Sequence, residues 1–382
     1  MPAIREFPPL VQPAVEQGGT VFANEPERRH FAEYLTGLLG AEQKTVSGIN
    51  AEFAQTTAQS CLNRWSTEVD WEATQLHEQR LAWVPQDPPT RSAPSGGMPI
   101  DNRRGDHAGK LSADVGYCWD HAEQRPKSAH DSLRANDVCP SGKPYAVAFR
   151  RLRQRADGEA QPAHRAAPPG GVAAAPAEEQ RLATFKRHTL WCCEVVAWVV
   201  ERQIPGPCAF DSYFTNAPLC NPLAGRQRAD GGELQFNRKV WFGGTARRAD
   251  ALAAQLPGGA RKKVPGGERT QGDFTKKIWR PQYTPAVRRV LLWAQGNSKE
   301  PVKLLITNPT PGEVTRVLGG YGQRWTGTET LQRDGQPHWG WGDCQLRSGA
   351  GQTHPLYLVL LVHSLRMVQL RQGRARAWPP SR

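Results

Sequence analysis

Apolar side chains along the first ninety residues recur at the 3.6-residue spacing of amphipathic helices. Asn24 can cap the longest of these helices, because Glu27 stands at the third helical position, and Gly40 can end it. The apolar positions between these ends are Phe31, Tyr34, Leu35, Leu38 and Leu39. Shorter helical patterns follow at 47–54, 57–65 and 70–83. The pattern predicts a small all-helical N-terminal domain over residues 1–90.

A stretch rich in proline and glycine separates these helices from a different pattern. Residues 84–97 contain four prolines and two glycines, which is typical of a linker between domains. Beyond it, apolar or alternating runs predict strands at 98–101, 111–119 and 145–152, a helix at 178–203, and a strand ending at Phe210 and Asp211. Strands followed by a helix and another strand predict an α/β layer, here assigned to residues 91–222.

Residues 223–308 show a second group of strand patterns. Runs at 233–242, 287–293 and 302–307 alternate with residues that favour turns, which indicates a β-rich insertion. Residues 309–382 hold two helical patterns, the second at 355–372, which would complete the α/β layer. The segment 156–177 is rich in alanine, proline and glycine, and this composition predicts a disordered loop.

Charge is distributed unevenly along the chain. The formal net charge is +13, but residues 1–90 hold six Lys/Arg against twelve Asp/Glu. The remainder therefore carries 43 basic and 24 acidic side chains, a net charge of +19. A wide basic surface favours a polyanionic partner, because each neutralised phosphate releases counterions. We expect DNA to contact residues 91–382; the N-terminal helices could form a helix-turn-helix DNA reader or a plain packing domain.

Cysteine usage and hydropathy bear on the class of protein. The eight cysteines contain no C-x-x-C pair, so neither structural zinc nor a dense disulfide framework is expected. The first residues hold no apolar signal segment, and the most apolar window, 356–365, is too short to span a bilayer. We therefore expect a cytoplasmic, nucleoid-associated protein with no membrane partner. No G-x-S-x-G elbow or Walker-type phosphate loop is present.

Three carboxylates stand at strand ends or in a helical stretch of the predicted α/β part of the chain. Asp101 ends the short strand that begins at residue 98, and Asp211 ends the strand after the predicted helix. Glu329 shares a helical stretch with Tyr321 and Arg324. A further basic residue, Arg347, follows in the segment Cys344-Gln-Leu-Arg-Ser. Aspartate and glutamate oxygens are the ligands that Mg²⁺ prefers.

With these residues in this order, the chain resembles the DDE transposases of bacterial insertion sequences, in the group with a Tyr-Arg-Glu-Lys signature. The resemblance runs from about residue 25 to residue 373. It implies an α/β fold with a ribonuclease-H-like catalytic core, a β-rich insertion and a helical N-terminal domain. It also implies that Asp101, Asp211 and Glu329 are the catalytic and metal-binding residues, and that Tyr321, Arg324 and Arg347 contact DNA.

The resemblance further implies a reaction. The substrate would be double-stranded DNA, both the ends of an insertion sequence and its target, bound by a possible homodimer. Two Mg²⁺ or Mn²⁺ ions would activate the attacking oxygen and stabilise the leaving one. A water would first nick the element end, and the released 3′-hydroxyl would then attack the target. No nucleotide cofactor is expected.

Two departures from the signature raise the alternative of a degenerate copy. Gln336 stands where the signature has lysine, and one extra residue separates Arg324 from Glu329. In a regular helix this residue would turn Glu329 by about 100°, so we predict a wide turn of the π-bulge kind near 325–328, eased by Gly327. The alternatives are a non-catalytic DNA-binding remnant and an unrelated metal-dependent nuclease or hydrolase, whose carboxylates would scatter.

Asp–His neighbours offer a competing metal site. They occur at 106–107, 120–121 and 130–131, but their spacing matches no ligand pattern, and ten histidines in 382 residues make such neighbours expected. Glycine and proline together number 69 residues, and eight Gly-Gly pairs occur, several of them in segments that should be regular. Because glycine costs up to about 1 kcal/mol in a helix interior, this composition adds to the case for a degenerate copy.

Overall fold

The first part of the chain is helical. The computed structural model describes residues 4–69, 71–86, 90–106, 115–120, 123–152, 188–242, 245–253, 261–263, 269–278, 287–294, 303–308, 314–340, 344 and 349–371. Its first five helices are α1 (Gln12–Gly18), α2 (Glu25–Gly40), α3 (Val46–Glu52), α4 (Gln59–Thr67) and α5 (Ala73–Trp83). Short 3₁₀ turns occupy Gly19–Val21 and Val84–Gln86.

The start of α2 follows the predicted capping pattern. The Asn24 side chain accepts a hydrogen bond from the Glu27 backbone N–H at 3.0 Å. The Glu27 carboxylate in turn accepts from the Ala23 backbone N–H at 3.0 Å. These bonds satisfy amide groups that have no partner within the helix. The predicted beginning and end of this helix are confirmed.

Ten of the described strands form one large mixed sheet. Its strands are β1 (Met98–Asp106), β2 (Gly116–Asp120), β3 (Arg125–Val138), β4 (Pro144–Leu152), β5 (Cys208–Phe210), β6 (Asp230–Glu233), β9 (Arg261–Lys263), β10 (Arg269–Ile278), β11 (Val287–Ala294) and β12 (Lys303–Thr307). Within the described residues their order is β2-β3-β1-β5-β6-β12-β11-β10-β9, and β4 also pairs with β3. β5 runs parallel to β1 and β6, while the other pairs are antiparallel. β7 (Lys239–Phe242) and β8 (Thr245–Arg248) form a separate ribbon.

Helices cover both faces of this sheet. They are α6 (His188–Glu201), α7 (Ala217–Gly225), α8 (Ala249–Ala253), α9 (Val314–Trp339) and α10 (Gly349–Arg371). Ile100 and Leu133 lie in one buried cluster with residues of α6. Side chains alternate between the two faces of a strand, so Asp101 faces the opposite side, where α9 crosses β1. The α/β class predicted from the sequence is confirmed at this level.

The N-terminal helices do not have a core of their own within the described residues. Their buried side chains form one cluster with residues of β4 and α10. Trp71 stacks on His354 with ring centroids 4.1 Å apart, and Arg80 donates a 2.7 Å hydrogen bond to Ser364. Both contacts join the first ninety residues to the last described helix. None of the described helices has the length and apolar character needed to cross a membrane.

Several predicted elements differ from those observed. The run 233–242 was expected to form one strand, but it ends β6 and then forms β7 after a turn. α10 begins at Gly349, so Pro355 lies inside the helix and not at its start. β3 and β10 were not predicted. The expected loop 156–177 lies outside the described residues.

Candidate functional site

Asp101 and Asp211 lie on two neighbouring parallel strands. Asp211 directly follows the end of β5, but Asp101 does not end its strand as predicted, because β1 continues to Asp106 in its antiparallel pairing with β3. Ile100 of β1 pairs with Phe210 of β5, and each aspartate is the next residue along its strand. Neighbouring strands lie about 4.8 Å apart, so the two carboxylates are adjacent. The negative charge of Asp211 raises the pKa of Asp101. The structure thus brings together the first two predicted site residues.

The surroundings of Asp101 shift its pKa in opposite directions. Burial is the largest cause that raises its pKa, and the charge of Asp211 adds to it, so that the pKa reaches about 6. Arg324 and Arg134 act in the other direction. Arg324 donates a 3.2 Å hydrogen bond to Oδ2 of Asp101, while Arg134 is the cross-strand partner of Asp101 on β3. Asp101 is therefore a partly desolvated carboxylate beside a like charge, which is an arrangement that a divalent cation would relieve.

Asp211 is fixed by the backbone of its own turn. Its Oδ1 accepts hydrogen bonds from the backbone N–H groups of Tyr213 at 3.0 Å and Phe214 at 2.9 Å. The backbone carbonyl of Asp211 accepts from the Thr215 hydroxyl at 2.6 Å. Such a turn holds the side chain in one orientation. No other described residue forms a hydrogen bond with Oδ2, so that oxygen can serve as a ligand.

α9 packs against β1 at Gly327, where there is no room for a side chain. A Cβ atom built on Gly327 would lie 2.4 Å from Cγ of Pro99 and 2.7 Å from Cγ2 of Val138. The Gly327 carbonyl also accepts a 2.7 Å hydrogen bond from the buried Asn136 side chain of β3. These contacts seat the helix on the sheet. They place Arg324, one turn earlier, against Asp101.

Tyr321 and Arg324 form a second part of the site with two residues that were not predicted. The Tyr321 hydroxyl donates a 2.6 Å hydrogen bond to Glu233 of β6, and Lys303 of β12 donates to the same oxygen at 2.9 Å. Burial alone would raise the pKa of Glu233, but these two hydrogen bonds outweigh it and lower that pKa. Arg324 and Lys303 lie 5.3 and 5.6 Å from the Tyr321 ring centre, within cation–π range.

Glu329 lies at the margin of this group. Val314–Trp339 is α-helical throughout, so the wide turn predicted near 325–328 is wrong. Thr328 consequently occupies the position one turn below Arg324, where its hydroxyl bonds the Arg324 carbonyl at 2.7 Å, and it is buried. The Glu329 side chain is 40% exposed and lies 3.9 Å from Arg103 of β1. Gly327 serves close packing and not an irregular backbone.

The carboxylates do not form a closed ligand group of three. Among the described residues, no set of three or more His, Cys, Asp or Glu side chains is arranged to hold a metal ion. Asp101 and Asp211 fit one divalent cation, since they are adjacent, oxygen-bearing and mutually repulsive. Glu329 contacts Arg103 and contributes to the field around the buried Arg134, whose pKa is lowered to about 10 mainly by burial. Arg347 and the side chain of Gln336 lie outside the described part of the structure.

Sequence reasoning missed Glu233, Lys303, Arg134 and Arg103. A charged residue in a strand pattern is weak evidence by itself, and none of these residues belongs to the signature. Arg134 could have been found only by predicting β3.

No protein-family model matches this chain, and no curated protein sequence matches it either.

Proposed function

We propose that this protein is a metal-dependent DNA endonuclease and strand transferase of the DDE transposase type. The observation that carries the proposal is the side-by-side position of Asp101 and Asp211 on neighbouring parallel strands, with Arg324 of α9 bonded to Asp101. An unrelated hydrolase would give no reason for these separated positions to meet. The sequence of strands, helix and strand before Asp211 also fits the ribonuclease-H-like core that the resemblance implies.

The two aspartates would hold Mg²⁺ or Mn²⁺. When bound, the metal supplies activation of the attacking oxygen and stabilisation of the leaving one. Asp101 must lose its proton to act as a ligand, and its pKa of about 6 allows this at neutral pH. The backbone N–H groups of Tyr213 and Phe214 orient Asp211. Glu329 would act as the third carboxylate after a change of side-chain conformation.

Cationic side chains around the pair suit the phosphate backbone of DNA. Arg324 bears a planar guanidinium that can fork onto a phosphate. Arg103, on the same face of β1 as Asp101, is about two-fifths exposed, as is Arg104 on the opposite face, and Lys303 is 30% exposed. We propose that these residues and Tyr321 contact double-stranded DNA. Binding of two element ends by a homodimer belongs to the same proposal.

Nicking of end DNA tests this function. A duplex carrying the inverted repeats that flank the gene is incubated with the protein and Mn²⁺ or Mg²⁺. We expect strand breaks that require the metal and that disappear in Asp101→Ala and Asp211→Ala. Arg5→Ala, at an exposed position in the N-terminal segment, serves as the control and should nick like the wild type. Metal-dependent nicking that survives in both aspartate variants would overturn the assignment.

A second candidate is a DNA-binding protein that does not cut. The register of α9 favours it, because an unbroken helix directs Thr328 and not Glu329 below Arg324. This candidate predicts end-specific DNA binding without nicking in any divalent metal. It would also predict equal DNA affinity for the wild type and Glu329→Gln.

A further inference from the structure

A continuous series of polar contacts connects the strand of Asp101 with the turn of Asp211 on the side of the sheet opposite α9. The Asn102 amide donates to Asp131 of β3 at 3.2 Å. Asp131 lies 3.4 Å from Nε2 of His188, the first residue of α6. Nδ1 of His188 lies 3.3 Å from the Tyr213 hydroxyl. We call Asn102, Asp131, His188 and Tyr213 the polar bridge.

The polar bridge ends at both candidate ligands. Asn102 directly follows Asp101, and the backbone N–H of Tyr213 is one of the two that bond Oδ1 of Asp211. The two ring nitrogens of His188 face one neighbour each, Nε2 toward the Asp131 carboxylate and Nδ1 toward the Tyr213 hydroxyl. The Asp131 side chain is 1% exposed, so this end of the bridge is fixed. Arg104, 3.8 Å away, partly balances its charge.

We infer that the polar bridge positions Asp211 against Asp101, and that His188 and Tyr213 are positioning residues for the metal site. The inference rests on the proposed function, because it takes Asp211 to be a metal ligand. Two adjacent carboxylates repel each other, so a short turn after a three-residue strand needs an external anchor to keep them together. Tyr213 supplies that anchor, although the residue is 54% exposed, because its hydroxyl contacts His188 of α6. Groups that orient metal ligands in this way typically change metal affinity about 10–100-fold when removed.

The test uses Tyr213→Phe, which removes one hydroxyl, and His188→Ala, which removes the link to Asp131. Tyr117→Phe is the matched control, because Tyr117 of β2 is also exposed and lies outside the bridge. Amide hydrogen exchange is measured on the segment 212–216 of the full-length protein. Mn²⁺ affinity is measured by calorimetry on the same proteins.

We expect exchange in 212–216 to quicken at least about fivefold in both bridge variants, because the hydrogen bonds to Asp211 open more often. Mn²⁺ affinity should fall about tenfold, with the control unchanged in both measurements. Unchanged exchange in Tyr213→Phe and His188→Ala would overturn the inference. Faster exchange in a protein whose wild type binds no Mn²⁺ would support the bridge and contradict the proposed function, so the two failures are distinguishable.

Discussion

At the scale of single residues, the position of Asp101 in the site lowers the stability of the folded protein. Its carboxylate is largely buried beside Asp211, and its pKa is raised from 3.8 to about 6. Between these two values the folded protein holds a proton that the unfolded chain has released. Stability therefore falls as pH rises from about 4 to about 6, and the full penalty persists at neutral pH.

Asp101→Asn is expected to stabilise the metal-free protein at pH 7.5. The shift corresponds to at most about 3 kcal/mol, and we expect about 1–2 kcal/mol because Arg134 and Arg324 lose a partner. Urea unfolding in EDTA measures the change, and at pH 3.5 the variant and the wild type should agree. Glu42→Gln, at an exposed position in the N-terminal part, is the control. A variant less stable than the wild type at pH 7.5 would show that the arginine contacts dominate.

Asp101 and Asp211 could be predicted because each follows a strand pattern in the sequence. The residues of β3 that lie near the site were missed. Asp101 and Asp211 each end a short apolar run, so the pleat and the parallel pairing bring them together. β3 escaped prediction because its buried positions carry polar side chains: Asp131, Arg134, Asn136 and Asp137. A hydrophobic alternation cannot reveal such a strand, since the partners that compensate these groups come from other elements.

At the scale of elements, α9 depends on glycines with opposite roles. Gly327 is covered by Pro99 and Val138, whereas a Cβ atom on Gly322 would have nothing within 4 Å. Gly-Gly pairs and other glycines raised the possibility of a degenerate chain. Gly327 shows that at least one of these glycines is required for close packing, which only the three-dimensional contacts could reveal.

Gly327→Ala and Gly322→Ala should therefore change stability in opposite directions. The first forces a methyl group into Pro99 and Val138 and is expected to cost about 1–3 kcal/mol. The second replaces an exposed helical glycine and should stabilise by up to about 1 kcal/mol. Chemical denaturation of the two variants, which differ by five positions on one helix, measures both. Equal effects would mean that α9 does not lie on β1 as described.

The register of α9 also bears on the third carboxylate. Thr328 lies below Arg324, and Glu329 is turned away by about 100°. Moving the carboxylate to the buried position, in the double variant Thr328→Glu/Glu329→Thr, should bring it toward Asp101 and Asp211. We expect Mn²⁺ affinity to rise about tenfold, because a third oxygen ligand joins the pair. Glu329→Thr alone is the control, and a double variant that binds no better than this control would contradict the register argument.

At the scale of the whole molecule, the N-terminal helices and the rest of the chain share one core. Arg80 and Trp71 contact α10, which lies almost 300 residues later in the sequence. The sequence predicted the helices from local periodicity, but their packing partner is not a local property. A fragment that ends at residue 90 would lose this partner, so DNA binding has to be located in the full-length chain.

The charge division predicts where DNA binds. Residues 1–90 carry a net charge of −6 and the remainder +19. Arg103, on the Asp101 face of β1, and Arg104, on the opposite face, are both about two-fifths exposed. Each lost phosphate contact lowers the slope of log affinity against log salt by about 0.9, so Arg103→Ala/Arg104→Ala should lower it by about 1–2. Arg5→Ala/Arg64→Ala, at exposed positions in the N-terminal part, should leave it unchanged. Fluorescence anisotropy with a labelled duplex gives both slopes. The salt concentration is varied between about 50 and 200 mM, a range over which the loss of phosphate contacts changes the affinity measurably. An equal loss in the two double variants would place the DNA on the N-terminal helices as well, because only a phosphate contact changes the slope.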